Sequence, residues 1–234
     1  MEKLEMLYEG KAKRVYKTDN PKQYIVQYKD DATANNGLKR GTIEDKGIVN
    51  NKMSAILFKL LTEKGVPNHF EELLSDREQV VKAVEIVPLE VIIRNVSAGS
   101  FSKRYGAEEG IVFDEPTIEF SYKKDELGDP LINDSHILGL KLATREEIKE
   151  IKEMAFKVNE VLMEFFKEKG LRLIDFKLEF GKYEGRIILA DEISPDTCRL
   201  WDINTNEKLD KDRFRRDLGN IKEAYMEVIR RLEE

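Results

Sequence analysis

The amino-acid sequence predicts an α+β fold in two lobes, with antiparallel sheets and flanking helices. The first thirty residues hold short strand-like segments separated by turn residues, and later stretches repeat apolar residues at helical spacing. A hairpin of alternating charged and apolar residues lies between the last two helical stretches. A chain of 234 residues can form one large domain or two small lobes, and we expect lobes over residues 1–87 and 88–234.

The start of the chain predicts a meander of three strands. Gly10 and the Asp-Asn-Pro run at 19–21 are the turn signals between them. The predicted strands cover residues 4–9, 14–18 and 23–29. The small polar residues 30–37 follow, and we expect a mobile surface loop there.

A helix and two strands complete the N-terminal half. The helical pattern begins after Thr42, with Asp45 at capping distance, and ends at Gly65 and Pro67. Two strand-like runs follow, over 79–87 and 89–96. Pro88 lies between them and lacks an N–H, so we expect it to interrupt the sheet and form the hinge between the lobes.

The C-terminal half predicts two long helices around the charged hairpin. A short helical stretch ends at Tyr105, and the glycines and prolines of residues 106–143 predict an irregular segment with a long functional loop. Thr144 and Glu147 form a capping box before an apolar helical stripe. The last helix is expected from about Asp212.

The hairpin has the geometry of a site. In an extended strand Asp175, Lys177 and Glu179 share one face, while alternate apolar residues anchor the other. A three-residue loop with Gly185 in a left-handed bulge would place Asp191 opposite Asp175, whereas a register shifted by one residue would turn Asp191 away. Both registers stay open. A solvated polar face is the simpler explanation, but clustered carboxylates favour a bound cation such as Mg²⁺.

Composition argues against several functions. The formal net charge of −6 argues against a protein that coats nucleic acid, and no apolar run approaches the ~20 residues of a membrane span. The single cysteine, Cys198, excludes an internal disulfide, and with an N-terminus unlike a signal peptide it indicates a cytoplasmic protein. We expect Cys198, His69 and His136 to be packing or surface residues.

Two other segments suit anionic ligands. Residues 9–16 join two strands through a glycine and closely spaced cations, and Lys11 and Lys13 would suit a polyphosphate, although solvent-facing lysines explain the pattern equally well. Arg94 ends a strand and leads into the Ser-Ala-Gly-Ser run at 97–100, whose N–H and O–H groups suit an anion.

These segments resemble the motifs of the phosphoribosylaminoimidazole-succinocarboxamide synthases, the SAICAR synthetase family. Their order and spacing agree along essentially the whole chain. The matching residues are 8–13 (Tyr-Glu-Gly-Lys-Ala-Lys), 88–94 (Pro-Leu-Glu-Val-Ile-Ile-Arg), 97–100 (Ser-Ala-Gly-Ser), 175–181 (Asp-Phe-Lys-Leu-Glu-Phe-Gly), 191–196 (Asp-Glu-Ile-Ser-Pro-Asp) and 199–202 (Arg-Leu-Trp-Asp).

The resemblance implies a two-lobed fold similar to protein kinases and ATP-grasp enzymes, with nucleotide bound by 1–87 and the substrate and metal site in 88–234. It implies that L-aspartate is joined to 5-amino-4-carboxyimidazole ribonucleotide (CAIR) with ATP and Mg²⁺, through an acyl phosphate. CAIR and L-aspartate are then the small-molecule partners. A homodimer or another homo-oligomer is left open.

The resemblance also implies residue roles. The implied ATP contacts are Lys11, Ala12, Lys13 and, through the backbone, the strand holding Val81, Lys82 and Ile86. The implied ribonucleotide contacts are Arg94, Ser100, Asp196 and Arg199. The implied catalytic set is Asp175, Lys177, Glu179 and Asp191, of which Glu179 and Asp191 would ligate Mg²⁺. The loop around Lys123, Asp129 and Ser135 is the candidate L-aspartate site.

Two alternatives remain at this point, because a fold does not decide a function. One is a small-molecule kinase on the same scaffold, whose product would be a phosphate ester. The other is a nucleotide-binding regulatory module without chemistry, which the full set of acids argues against.

Overall fold

The computed structural model describes residues 1–34 and 37–234 and has an α+β fold. In chain order the elements are β1 (Lys3–Glu9), β2 (Lys13–Thr18), β3 (Gln23–Tyr28), β4 (Asp31–Ala34), β5 (Lys39–Thr42), α1 (Lys46–Glu63), β6 (Phe70–Leu73), β7 (Glu78–Lys82), β8 (Glu85–Val96), α2 (Gly99–Tyr105), β9 (Val112–Tyr122), β10 (Leu131–Ile132), α3 (Asp134–Gly139), α4 (Arg145–Glu168), β11 (Leu171–Tyr183), β12 (Arg186–Ala190), β13 (Cys198–Asp202), α5 (Asp212–Arg215) and α6 (Ile221–Glu233). A 3-10 turn covers Asp125–Leu127.

Two antiparallel sheets organise the molecule. The first sheet has the order β1-β2-β3-β7-β6, and the second has the order β10-β9-β8-β11-β12, with β13 also paired to β11. Strand β11 is central to the second sheet, and its alternate residues Phe176, Leu178 and Phe180 are almost fully buried in the main core. Each such burial contributes about 1.5 to 3 kcal/mol, so these side chains hold the opposite, charged face of β11 in place.

Most of the predicted elements are confirmed. The meander forms β1 to β3, and the short helix to Tyr105 forms α2. Helix α4 begins with the predicted capping box, in which the Thr144 N–H donates to Glu147 Oε2 at 2.8 Å and the Glu147 N–H donates to Thr144 Oγ1 at 3.2 Å. Helix α1 begins after Asp45 as predicted, but the Asp45 side chain makes no capping hydrogen bond.

Two predicted loops contain regular structure. Within residues 30–37 the chain forms β4, because Ala32 and Ala34 pack into the main core; residues 35 and 36 of that predicted loop lie outside the described residues. Within residues 106–143, β9 occupies a stretch that holds Pro116. The register of β9 against β8 shifts next to this proline, which accommodates its missing N–H.

The last helix and the predicted hinge also differ from expectation. Instead of one helix from Asp212, α5 and α6 are separated by residues that include Gly219 and Asn220, both with positive φ. Strand β8 runs through Pro88, where its register against β11 shifts. The chain passes from the first sheet to the second earlier, at residues 83–84, and the lobe boundary at 87/88 stays a prediction.

The hairpin register differs from the one considered first. Tyr183 pairs with Arg186, so the loop has two residues, Glu184 and Gly185, with φ of 50° and 78°. Positive φ at both positions is typical of a type I′ turn, and the three-residue loop is wrong. Asp191 therefore does not lie opposite Asp175.

Candidate active site

A first cavity of about 230 Å³ lies where the two sheets meet. Its apolar and aromatic lining comes mainly from the first sheet and includes Leu7, Tyr8, Val15, Tyr24, Val26, Val81, Val84 and Ile86. Its charged lining consists of Lys13, Lys82, Lys123, Glu179 and Asp191. An apolar slot with a charged region suits a ligand that has a flat ring and an anionic chain.

Of the charged face of β11, Glu179 lines this cavity and is linked to Lys177 and Asp191. Lys177 Nζ lies 2.6 Å from Glu179 Oε1 and 3.5 Å from Asp191 Oδ2. Lys123 Nζ donates to Glu179 Oε1 at 3.0 Å, and Lys13 donates to Asp191. Asp191 reaches this cluster because it follows the end of β12 and has a left-handed φ of 60°.

Burial and mutual attraction act against each other on the pKa values of this cluster. Burial alone would raise the pKa of the Asp191 carboxyl, but Lys13 and Lys177 hold it well below its usual range. Burial alone would lower the pKa of the Lys177 ammonium, but Glu179 and Asp191 raise it well above its usual value. Asp191 and Lys177 are therefore both charged at neutral pH.

A second, polar cavity of about 360 Å³ adjoins the cluster. It brings together all the side chains that the motifs suggested for the ribonucleotide, Arg94, Ser100, Asp196 and Arg199. Lys177 also lines it and thus connects the two cavities through its contacts with Glu179 and Asp191.

Asp175 positions two arginines at the second cavity. It lies opposite Arg94 on β8 and opposite Arg199 on β13, both of which neighbour β11. Its Oδ2 accepts from Arg94 Nη1 at 2.6 Å and from Arg199 Nη1 at 2.9 Å. Arg94 also donates to Ser100 Oγ and Glu119 at 3.0 Å, so this buried guanidinium is largely engaged. Asp175 therefore has a role that the sequence did not indicate.

Asp196 is held just as firmly. Its Oδ2 accepts from Lys46 at 2.8 Å and from Lys211 at 3.2 Å, and its Oδ1 accepts from the Tyr225 hydroxyl at 2.7 Å. Burial would raise the pKa of this carboxyl, but the two lysines keep it well below its usual range. Asp196 lines the second cavity as a fixed negative charge.

The other residues implied as ATP contacts lie outside the charged cluster. Lys11 Nζ pairs with Asp125 at 2.9 Å in an exposed position, and the Ala12 carbonyl accepts from the Lys29 N–H. Side chains of Val81, Lys82 and Ile86 line the first cavity. The Lys82 N–H already donates to the His69 carbonyl and the Ala83 N–H to the Lys22 carbonyl. The connecting residue Val84 also lines the apolar slot.

The loop suggested for L-aspartate stays a prediction, and one residue of the second cavity was not marked by the sequence. Lys123, a candidate for L-aspartate, contacts Glu179 in the first cavity, while Asp129 and Ser135 bond to neighbours in their own loop. Arg215 lines the second cavity, but it lies in a stretch that had suggested only helix. No motif in the sequence marked Arg215.

The cysteine and the two histidines have structural roles. Burial raises the pKa of the Cys198 thiol, which packs in the main core. His69 packs edge-on against Phe58 and lines the first cavity, and burial lowers its pKa to about 3. His136 accepts the Asn133 N–H in the capping box of α3. These placements agree with the packing and surface roles expected.

Comparison with known proteins shows the family of this chain. A sequence model described as SAICAR synthetase matches residues 6–232. The chain belongs to the SAICAR synthetase family. It is 64% identical over 234 residues to the phosphoribosylaminoimidazole-succinocarboxamide synthase of Caldanaerobacter subterraneus subsp. tengcongensis, with 100% of each chain covered. It is 66% identical over 232 residues to the synthase of Lachnoclostridium phytofermentans, with 99% of each covered.

Solved structures of SAICAR synthetases have the same fold. The synthase from Ehrlichia chaffeensis superimposes with a TM-score of 0.96 at 50% identity, covering 98% of each chain. A SAICAR synthetase in complex with ADP superimposes with a TM-score of 0.94 at 48% identity, covering 97% of each chain. The predicted SAICAR synthetase fold is thus confirmed.

Family membership also confirms the predicted reaction. SAICAR synthetases are ligases of purine biosynthesis that join L-aspartate to CAIR with ATP as co-substrate, and this chain is such an enzyme. The small-molecule kinase and the regulatory module are set aside, because the similarity to synthases extends over the full chain. Among the described residues, every helix is too short or too polar to cross a membrane.

Proposed function

We propose that the two cavities divide the substrates of the ligase, with ATP in the first and CAIR in the second. The observation that carries this proposal is the position of Lys177, which lines the second cavity and bonds to Glu179 and Asp191 of the first. A phosphoryl group passing from one cavity to the other would meet this ammonium. Positioning and neutralisation of charge are the main requirements of phosphoryl transfer.

The lining of the first cavity supports ATP binding. Adenine would occupy the apolar slot beside Val84, and the phosphates would extend to Lys13 and Lys123. The similar SAICAR synthetase solved with ADP supports a nucleotide at this fold. Lys11, although exposed, lies in the loop before β2 and stays a predicted phosphate contact.

Glu179 and Asp191 are proposed to hold Mg²⁺. Their carboxylate oxygens are the donors that Mg²⁺ prefers, and protein sites for this ion typically use one or two carboxylates together with substrate phosphates. Bound Mg²⁺ would neutralise phosphate charge. Lys13, Lys123 and Lys177 already neutralise the carboxylates and would turn to the phosphates.

The second cavity is proposed to present the CAIR carboxylate to ATP. A carboxylate oxygen would attack the γ-phosphorus, the bond to ADP would break, and an acyl phosphate would form. The L-aspartate amine would then attack the acyl carbon, lose a proton and release phosphate. Arg199, Arg94 and Ser100 would orient the ribonucleotide through its anionic groups, with Asp175 holding both arginines.

The cytoplasm is the proposed location, because the single cysteine, Cys198, is free and buried, and purine biosynthesis uses soluble intermediates. A homodimer or another homo-oligomer stays a prediction.

The Lys13→Ala enzyme is expected to bind ATP at least about 10-fold more weakly, because a charge-assisted contact to phosphate is lost. CAIR affinity should change little. Direct binding of ADP and of CAIR by calorimetry checks this. Lys17→Ala is the matched control, since Lys17 lies on the same strand and pairs with exposed Glu5 at 2.9 Å. Weaker CAIR binding with normal ADP binding would reverse the assignment of the cavities.

The Arg199→Lys enzyme is expected to show a CAIR KM raised roughly 10- to 150-fold, since lysine keeps the charge but loses the planar fork. The ATP KM should stay nearly constant. Steady-state kinetics and thermal melting of one preparation measure both effects. Arg231→Lys, which disturbs a pair with Asp202 at 2.8 Å outside both cavities, is the control. A lower Tm with both KM values unchanged would make Arg199 purely structural.

A further inference from the structure

We propose that Asp212 is a positioning residue of the second cavity, whose carboxylate sets the spacing between the guanidinium groups of Arg199 and Arg215. The inference rests on the proposed function, in which this cavity receives CAIR. Both arginines line the cavity, whereas Asp212 is 3% exposed and lies behind them.

One carboxylate bridges the two arginines. Asp212 Oδ2 accepts from Arg199 Nε at 2.9 Å, and Asp212 Oδ1 accepts from Arg215 Nη1 at 2.7 Å. Two neighbouring guanidinium groups repel each other, and a shared counter-charge offsets this repulsion while holding both in one geometry. The arrangement therefore presents a pair of cations to an anion in the cavity.

Two carboxylates and a close approach to Gly99 fix the Arg199 guanidinium at the edge of the second cavity. Its Nε and Nη1 bond to Asp212 and Asp175. Its Nη2 lies against Gly99, whose φ is 55° and where a Cβ would collide with the guanidinium. A glycine at the start of α2 thus leaves the space in which Asp212 and Asp175 hold the Arg199 guanidinium.

The backbone of Asp212 is itself held by the side chain of Asp210. Its N–H donates to Asp210 Oδ1 at 2.7 Å, while Asp210 Oδ2 accepts from the Leu200 N–H at 2.8 Å. Leu200 follows Arg199 on β13, and Asp212 begins α5, which also holds Arg215. Asp210 therefore ties together the two elements that carry the arginines.

An ordinary helical ion pair does not account for this geometry. Arg215 is three residues after Asp212, a spacing that usually gives weak, exposed pairs. Here the carboxylate is buried, and it is shared with Arg199 from another element. Removal of its charge should thus affect ligand binding through both arginines.

The Asp212→Asn enzyme tests this role. The amide keeps the size of the side chain but replaces one acceptor oxygen with a donor, so one arginine loses its partner. The CAIR KM should rise by roughly 10- to 100-fold, with the ATP KM unchanged. Asp202→Asn is the matched control, because Asp202 is a buried partner of Arg231 away from both cavities. It should lower the Tm and leave both KM values unchanged.

A second variant separates charge from shape. Asp212→Glu restores the carboxylate on a longer side chain, so its CAIR KM should lie between those of the wild type and Asp212→Asn. If Asp212→Asn unfolds, CAIR binding to Asp212→Glu decides: weaker binding supports the role, and unchanged binding overturns it.

The proposal is also overturned if Asp212→Asn behaves as Asp202→Asn does, with a lower Tm and a normal CAIR KM. Arg199→Lys distinguishes this failure from failure of the proposed function. If the CAIR KM is raised in Arg199→Lys but normal in Asp212→Asn, the positioning role of Asp212 is wrong and the assignment of CAIR to the second cavity stands. If the CAIR KM is normal in both variants, the assignment of CAIR to the second cavity is wrong.

Discussion

The Asp191→Asn enzyme is expected to lose at least about 100-fold in turnover, because a proposed Mg²⁺ ligand and a partly buried negative charge are removed. Asparagine tolerates the left-handed backbone at this position, where φ is 60°, so the chain path is retained. Lys177 keeps Glu179 as a partner at 2.6 Å, and we expect unfolding to remain cooperative.

Two measurements check this expectation independently of each other. Turnover is followed at saturating Mg²⁺, and ADP affinity is measured with and without Mg²⁺, which should strengthen binding in the wild type but much less in the variant. Asp76→Asn is the control, since Asp76 pairs with Lys52 at 3.5 Å outside both cavities. Near-normal turnover together with a normal Mg²⁺ effect on ADP would exclude Asp191 as a ligand.

The Lys177→Met enzyme should lose about 100-fold or more in kcat, since the ammonium at the junction of the cavities would no longer stabilise the transferred phosphoryl group. Methionine approximates the length of the side chain and removes its charge. Glu179, Asp191 and Glu90, which lie within 2.6 to 3.5 Å of Lys177 Nζ, would then repel one another more strongly. The Tm should also fall.

Lys182→Met provides the comparison for this variant. Lys182 lies on the same strand and pairs with Glu147 at 2.6 Å, outside both cavities, so its loss should leave kcat unchanged. Pre-steady-state measurement of ADP formation shows whether the chemical step is slowed. A lower Tm with normal ADP formation in Lys177→Met would show that Lys177 only offsets the charge of its neighbours.

Local patterns were enough to predict much of the fold. Helix α4 follows from its capping box and apolar stripe, and the meander follows from its turn residues, because these signals lie within a few residues of one another. Strand β9 was missed because Pro116 and nearby glycines resemble loop signals, and the register shift that accommodates the proline is created by its partner β8.

The same distinction between local pattern and tertiary contact applies to the site. The sequence alone determined that Asp175, Lys177 and Glu179 share a face, since alternation along a strand is a local property. It also carried the motifs that identify the family. The turn at residues 184–185 and the left-handed backbone at Asp191 decided that Asp191 joins that face despite a different register.

Only the tertiary structure decided which distant charges meet. Asp175 faces Arg94 and Arg199 because three strands far apart in sequence are neighbours in the second sheet. Arg215 reaches the second cavity, with Asp212 behind it, because α5 is tied to β13. Such contacts depend on register and packing between remote segments, and a strand's side-chain pattern specifies which face is buried but not which strand lies beside it.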